Sequence, residues 1–227
     1  TIARQSSGLF MKSALSSSGG VHNLEQILHF VTDLKSKFTL DITKIPLCSM
    51  NDWQIKPDEI SRFDEKHFKV IAVDVSIGNR EVVKWQQPMV MPTQHGICAF
   101  ICKVINGIIH FAVQAKLECG LHDKIEMAPT VQTLLVENVQ AVPFLEYVLN
   151  ATSRQVIFDV MQSEEGGRFY QEQNRNMLII ARDDFSEKLP ENYIWLTLNQ
   201  LLFFVRLNNY LNIQARSLIA VISVFDL

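Results

Sequence analysis

The nine residues from Gln162 to Tyr170 bring several reactive side chains together. Two adjacent glycines lie among polar residues that include Glu164, Glu165, Arg168 and Tyr170. A carboxylate beside apolar surface can have its pKa raised towards neutrality, which suits a general acid or base. An arginine can bind a phosphate bidentately, and glycine lets the backbone approach a ligand closely. The composition predicts a ligand site and, with about equal weight, a solvated glycine-rich turn.

Trp85 and Gln87 form a second candidate binding feature, at the end of a predicted strand. An indole can stack on a flat ring, and an amide can hydrogen-bond to the edge of a base or to a sugar hydroxyl. The alternative is a core tryptophan followed by Pro88, which would end the strand. Taken alone, the pattern favours that alternative.

Polar side chains alternate along a later strand, where Gln114, Lys116 and Glu118 fall on one face. Three polar groups on one face can line a pocket, or they can form the wet face of a half-exposed strand. Thr130 and Gln132 follow in a loop and add a hydroxyl and an amide, which carry no specific signal without their neighbours.

The bulk composition limits the class of protein. The 227 residues are 48% hydrophobic and 20% charged, which is typical of a folded domain rather than a disordered chain. A net charge of -3 gives no general attraction for nucleic acid or an anionic membrane, so we expect neither as a partner. The histidines show no metal-binding spacing, and no dinucleotide-binding fingerprint, P-loop or serine-hydrolase elbow is present. We expect no metal and no cofactor.

The cysteines and the first residues bear on location. None of the four cysteines forms a CxxC pair, and Cys98 and Cys102 lie in an apolar run where buried free thiols are expected. Residues 1–20 are rich in serine and glycine and lack the apolar core of a secretion signal. No stretch reaches membrane-spanning length. We expect a cytoplasmic protein.

Local patterns predict an α+β fold in which a central sheet, antiparallel or mixed, is flanked by helices. Asn106-Gly107 favours a hairpin turn between two β-rich runs, and a last helix is predicted over Asn212–Val224. Two earlier helices should begin at the capping-box pairs Asn23 with Gln26 and Thr197 with Gln200. We expect residues 1–22 to be a linker or arm and residues 23–227 to form a single domain.

A colinear set of segments resembles one enzyme family along nearly the whole chain. The segments are Ile45-Pro46-Leu47 with Trp53, Glu81–Pro88, Gln114–Gly120, Pro129–Gln132, Gln162–Tyr170 with Asn174-Arg175, Trp195–Leu198 and Asn212–Leu218. In this order they resemble the NDP-4-keto-6-deoxyhexose 2,3-dehydratases of deoxysugar biosynthesis. Each segment is only moderately specific, whereas the ordered set is strongly so.

The resemblance implies a fold and an assembly. Members of this family are similar in fold to Nudix hydrolases, so we expect an α/β/α sandwich with a central mixed sheet. The glutamate-rich Nudix helix signature is not recognisable here, which agrees with a metal-independent reaction. Family members have two homologous halves, and this chain resembles one half, more like the second. We therefore expect a homodimer that imitates the two-half arrangement.

The implied activity is a dehydration that needs no redox cofactor. The substrate would be a nucleoside diphosphate sugar, usually dTDP-4-keto-6-deoxyglucose, whose ketone acidifies the C3 hydrogen. Loss of that proton and of the C2 hydroxyl would give a 3,4-diketo-2,6-dideoxy sugar. The alternatives are a sugar-nucleotide-binding repeat without activity, a Nudix-type pyrophosphohydrolase, and a purely structural interaction domain.

The resemblance also suggests roles for individual residues. Glu164 or Glu165 would be the base, and Tyr170 the acid or a donor to the enolate. Arg168 and Lys116 would contact the diphosphate or the enolate. The whole set of expected substrate contacts is Trp85, Gln87, Gln114, Lys116, Glu118, Thr130, Gln132, Arg168 and Arg216.

Overall fold

Two separate sheets are present in residues 2–134 and 139–222, the parts of the chain that a computed structural model describes. The smaller sheet is antiparallel and contains, in order, β1 (Trp53–Ile55), β2 (Glu59–Arg62), β3 (Phe68–Ser76) and β4 (Lys84–Pro92). The larger sheet has the order β11 (Tyr193–Thr197), β6 (Ile108–Leu117), β5 (Gly96–Ile105), β10 (Gln173–Ile180) and β9 (Val156–Ser163). β7 (Ile125–Ala128) joins β6, and β8 (Val131–Leu134) joins β5.

Helices cover both faces of the larger sheet. They are α1 (Ile2–Leu15), α2 (Leu24–Lys37), α3 (Leu145–Leu149), α4 (Leu198–Val205) and α5 (Ile213–Ile222). Side chains of β5 alternate between two cores: Phe100 packs with α1, α2, α4 and α5, whereas Ile101 packs with α3. β5 and β10 are parallel, and the other pairs are antiparallel. The predicted α+β fold with a mixed sheet between helices is confirmed.

The predicted local signals also hold. Asn23 with Gln26 and Thr197 with Gln200 both form complete capping boxes, which start α2 and α4. Asn106 and Gly107 both have positive φ, 51° and 74°, as a tight two-residue hairpin turn requires. The last helix is α5, and residues 223–224 of its predicted range lie outside the described residues.

The first segment is more ordered than its composition suggests. The sequence predicts a linker or arm over residues 1–22, yet residues 2–15 form α1. Phe10 is buried in the core shared with α2, α4 and α5. The Ser13 hydroxyl is buried, donates to the Ile109 carbonyl over 2.6 Å and accepts from the Leu198 N–H over 2.9 Å. The arm therefore packs on the domain, and the domain division at residue 23 stays a prediction.

β5 and β6 separate beyond their hairpin, and we call the opening between them the fork. β7 runs into the fork along β6, and β8 leaves it along β5. Thr130 lies at its apex and is fully buried. Its hydroxyl donates to the Ala112 carbonyl of β6 and accepts from the Ile101 N–H of β5 over 2.9 Å. This single side chain therefore ties the two strands together where they part.

The smaller sheet is joined to the larger one through the loop between β9 and β10. The Val90 N–H donates to the Arg168 carbonyl over 2.9 Å, and the Tyr170 N–H donates to the Val90 carbonyl over 2.8 Å. Pro88 does not end its strand as one interpretation of the sequence proposed, because β4 continues to Pro92. An edge strand tolerates a residue without an N–H. In the described parts of the chain, no helix has both the length and the apolar character needed to cross a membrane.

Candidate functional site

A small cavity of about 200 Å³ lies at the mouth of the fork. β5, β6, β8 and β10 each contribute to its wall, through residues that include Cys98, Lys116, Gln132 and Asn174. Glu172 lines it from the end of the β9–β10 loop, and Gln214 from the first turn of α5. Residues distant in sequence meet here because the fork interrupts the pairing of two central strands.

Lys116 is held in place by its neighbours across the fork. Its Nζ donates to the Gln132 carbonyl over 2.9 Å and lies 3.4 Å from Glu118 Oε1. Gln132 Nε2 donates to the same carboxylate over 3.0 Å, and Gln132 Oε1 accepts from Asn212 Nδ2 over 2.6 Å. Asn212 in turn accepts from the Ala215 N–H of α5 over 2.9 Å. Fixed in this way, the ammonium group is a preorganised positive charge on the cavity wall.

Glu172 lines the same cavity, and Glu164 lies next to it, with its N–H donating to the Glu172 carbonyl over 3.0 Å. Burial raises the pKa of Glu172, and the negative charge of Glu164 raises it further, while a hydrogen bond from Asn174 opposes them. Asn174 Nδ2 also donates to Glu164 Oε1 over 2.8 Å. Glu172 lines the cavity and so combines access with a pKa shifted towards the range of a general base.

Cys98 also lines the cavity, but its thiol is a poor nucleophile. Burial, assisted by the negative charge of Glu164, raises the pKa of Cys98 to about 12. A thiol with that pKa stays protonated at neutral pH. Cys98 and Cys102 are both buried, as the sequence predicts.

Trp85 borders a separate, open groove of about 600 Å³ together with Arg80 and Val82. The indole N–H donates to Gln87 Oε1 over 2.7 Å, and Gln87 Nε2 donates to the Gly167 carbonyl over 2.9 Å. Both ends of the Gln87 amide are thus used within the protein, so Gln87 orients Trp85. The indole ring remains the group that can stack on a ligand.

The side chains of the segment Gln162–Tyr170 lie in different surroundings. The Glu164 carboxylate accepts a hydrogen bond from Asn174 on the cavity wall, and Gln162 pairs with Asn174 in the sheet. Glu165 and Arg168 form an ion pair over 3.2 Å with side chains 58% and 63% exposed, and the guanidinium lies over the Phe169 ring. Tyr170 is anchored to β4 through its backbone. Exposed pairs of this kind contribute little energy, which is what the solvated-turn interpretation expects for this part of the loop.

The other predicted contacts differ in their distance from the cavity. Gln114 is half-buried on β6, two residues before Lys116. Arg216 lies in the first turns of α5, where its Nε donates to the Asn212 carbonyl over 3.4 Å. Thr130 is fully buried, and the fork strands use its hydroxyl as donor and acceptor. Thr130 is therefore not among the residues that we propose to contact a sugar.

Sequence reasoning missed Glu172, Asn174 as a hydrogen-bonding residue, and Asn212. Glu172 lies just past the segment that drew attention, and a hairpin over these residues would have placed it opposite Glu164. Within residues 2–134 and 139–222, no group of three or more His, Cys, Asp or Glu side chains is placed to hold a metal ion.

A family model described as NDP-hexose 2,3-dehydratase matches residues 24–222. A dTDP-4-dehydro-6-deoxy-alpha-D-glucopyranose 2,3-dehydratase of Saccharopolyspora spinosa is 41% identical over 204 residues, which cover 87% of this chain and 42% of that protein. Enzymes of the same description from Streptomyces violaceoruber and Amycolatopsis orientalis are 39% and 35% identical, with 46% and 43% of their lengths covered. The chain thus spans less than half the length of these relatives.

Solved structures give weaker similarities. An ADP compounds hydrolase has a TM-score of 0.45 at 12% identity, covering 77% of this chain and 94% of that one. An Ap4A hydrolase of C. elegans has a TM-score of 0.35 at 15% identity, covering 58% of this chain and 97% of that one. Both TM-scores are below 0.5.

Proposed function

Because the chain belongs to the NDP-hexose 2,3-dehydratase family, we propose that its fork cavity removes water from a dTDP-4-keto-6-deoxy sugar. The observation that carries the proposal is the meeting of Lys116 and Glu172 on the wall of one cavity. Elimination next to a ketone requires a base for the C3 proton and a positive group for the enolate oxygen. These two side chains supply both.

In the proposed reaction, the Glu172 carboxylate takes the proton from C3. The electrons of the C3–H bond form a C3–C4 double bond, and the resulting charge on the C4 oxygen is stabilised by the Lys116 ammonium group. The enolate then collapses: the C4 ketone forms again, the electrons of the C3–C4 double bond form a C2–C3 double bond, and the C2–O bond breaks. The hydroxyl leaves as water with the proton that Glu172 had taken. The C2–C3 enol tautomerises to the 3,4-diketo-2,6-dideoxy sugar.

Glu164 serves this reaction by its charge. Its carboxylate raises the pKa of Glu172, so that Glu172 is a stronger base than an isolated glutamate. This role differs from the direct one that the sequence suggested for Glu164 or Glu165. Tyr170, the acid suggested by the sequence, is not needed in this scheme, because Glu172 returns its own proton.

We propose that the nucleotide lies towards Trp85, whose ring borders the open groove. The ring face is available for stacking on a base because the indole N–H is already bonded to Gln87. Arg80 in the same groove and Arg216 on α5 are the cations offered for the diphosphate.

The function is tested by incubating the chain with dTDP-4-keto-6-deoxyglucose and detecting a product that has lost one water. We expect turnover without added metal or redox cofactor, and a raised melting temperature with dTDP-sugar at about 100 times its Kd, equivalent to about 2.7 kcal/mol. Thermal stabilisation without turnover would identify a binding repeat instead. Release of dTMP in the presence of magnesium would identify a pyrophosphohydrolase, and no stabilisation by any dTDP-sugar would identify a structural domain.

We also propose that the chain forms a homodimer. The smaller sheet has almost no core of its own. Within residues 38–92, all of which the structure describes, only Ser61 and Met89 are buried, while Phe63 and Val82 are 64% and 60% exposed. Burial of such a surface favours association. Light scattering should give the mass of two chains, and a monomeric mass at working concentration would exclude the dimer.

The location proposed for the chain is the cytoplasm. Its four cysteines are free thiols, which is usual in a reducing compartment. Cell fractionation that placed the chain in an oxidising compartment would contradict this.

A further inference from the structure

Asn174 makes a hydrogen bond at each end of its side-chain amide. Its Oδ1 accepts from the Gly96 N–H over 2.8 Å, and its Nδ2 donates to Glu164 Oε1 over 2.8 Å. Because a backbone N–H can only donate, the oxygen of the amide must face Gly96 and the nitrogen must face the glutamate. The orientation of the amide is therefore determined by the backbone of a different strand.

Gly96 provides the space that this arrangement needs. A Cβ atom built on Gly96 would lie 2.5 Å from Asn174 Oδ1, far closer than any stable contact, and 3.3 Å from the Thr133 carbonyl oxygen. Gly96 is buried in β5 and pairs directly with Asn174 in the parallel register of β5 and β10. A side chain at this position would push the amide away from the backbone N–H.

Asn176 also contacts Asn174, through the backbone of Asn174. The Asn176 amide, which is buried, donates to the Asn174 carbonyl over 3.0 Å. Asn174 itself is 8% exposed, so its amide is shielded from competition with water. The charged groups around the cavity are Lys116, Glu118, Glu164 and Glu172, and the Asn174 amide faces the last two.

We propose that Asn174 is the positioning residue of this site, and that position 96 is glycine because only glycine leaves room for its amide. Asn174 holds Glu164 beside Glu172 and acts on the reaction through these two carboxylates. The inference rests on the proposed function for its effect on kcat. The clamp, by which we mean the Asn174 amide bonded to Gly96 and Glu164, can be tested without turnover.

The test is a double-mutant cycle of Gly96→Ala, Asn174→Ala and the pair together. The titration of Glu172 is followed by carbon NMR of the labelled side-chain carboxyl, and kcat and KM are measured with dTDP-4-keto-6-deoxyglucose. We expect Asn174→Ala to lower the pKa of Glu172, since the charge of Glu164 that raises it is no longer held nearby and outweighs the lost hydrogen bond, and to lower kcat up to about 100-fold through misplacement.

Gly96→Ala should shift the titration in the same direction, and the double variant should be no worse than Asn174→Ala alone. The matched control is Gly120→Ala, because a Cβ there meets nothing within 4 Å. The titration of Glu172 in this variant should match that of the wild type. Independent, additive effects of the two substitutions would overturn the proposal.

Asn174→Asp separates the two ends of the amide and guards against a variant that fails to fold. Aspartate keeps the acceptor for the Gly96 N–H but turns an oxygen instead of an N–H donor towards Glu164. The proposal requires a lowered kcat in this variant, because an aspartate oxygen cannot hold the Glu164 carboxylate. A wild-type kcat would mean that Asn174 only supports the fold. If no variant, including the wild type, turns over substrate while the titrations shift as expected, the proposed function fails and the clamp stands.

Discussion

Glu172→Gln should lower kcat about 100- to 10,000-fold, because a positioned general base contributes about that much to proton transfer. Glutamine has nearly the same shape but cannot take the C3 proton. The folding stability of this variant should not fall, although its activity does. A carboxyl whose folded pKa is raised contributes stability only below its unfolded pKa and loses it as the pH rises, so the neutral amide should be tolerated at least as well at pH 7. Steady-state kinetics and thermal melts on the same preparations check both statements.

The matched control is Glu165→Gln, the other carboxylate that the sequence offered as a base. Its side chain is 58% exposed and paired only with Arg168, so its kcat should stay within about twofold of the wild type. A loss in this variant equal to that of Glu172→Gln would move the catalytic role to the exposed loop.

The pH dependence separates Glu172 from Glu164. A base must be ionised, so kcat/KM should rise with pH through the pKa of Glu172, which lies above the ordinary carboxyl value. Glu164→Gln removes the negative charge that helps to raise this pKa. The rising limb of the curve of kcat/KM against pH should therefore move to lower pH. A limb that stays in place would show that Glu164 does not act on the base.

Lys116→Met should lower kcat about 100- to 1,000-fold, the usual effect of removing one preorganised group that stabilises a developing oxyanion. The enolate exists only after proton removal, so KM should change little. A raised KM with unchanged kcat would instead assign Lys116 to the diphosphate, the other role that the resemblance allowed.

The control for Lys116 is Arg168→Met, since the sequence proposed both cations for the same task. The Arg168 side chain is 63% exposed, is paired with Glu165 and has no part in the cavity wall. We expect its kinetics to match the wild type. Equal losses in both variants would show that the loop closes over the cavity during the reaction.

Features that depend on residues close together in the chain could be predicted from the sequence. The two capping boxes and the Asn106-Gly107 turn were predictable because each is satisfied within a few residues of chain. The α+β class followed from the same local patterns, and the family followed from the order of moderately specific segments. The helix over residues 2–15 was not predictable in this way, because its stability comes from burying Phe10 and Ser13 against distant strands.

Which residues line one cavity depends on how distant segments pair in the sheet. From sequence, the glutamates next to Gly166-Gly167 were the candidates, and Glu172 was an ordinary residue beyond them. The register of β10, antiparallel with β9 and parallel with β5, places Asn174 against Gly96 and brings Glu172 to the same cavity as Lys116. The parallel pairing of β5 with β10 joins residues 78 positions apart in the chain, so no local pattern specifies it. The tertiary structure also shows that the Thr130 hydroxyl is used within the protein, where β5 and β6 separate.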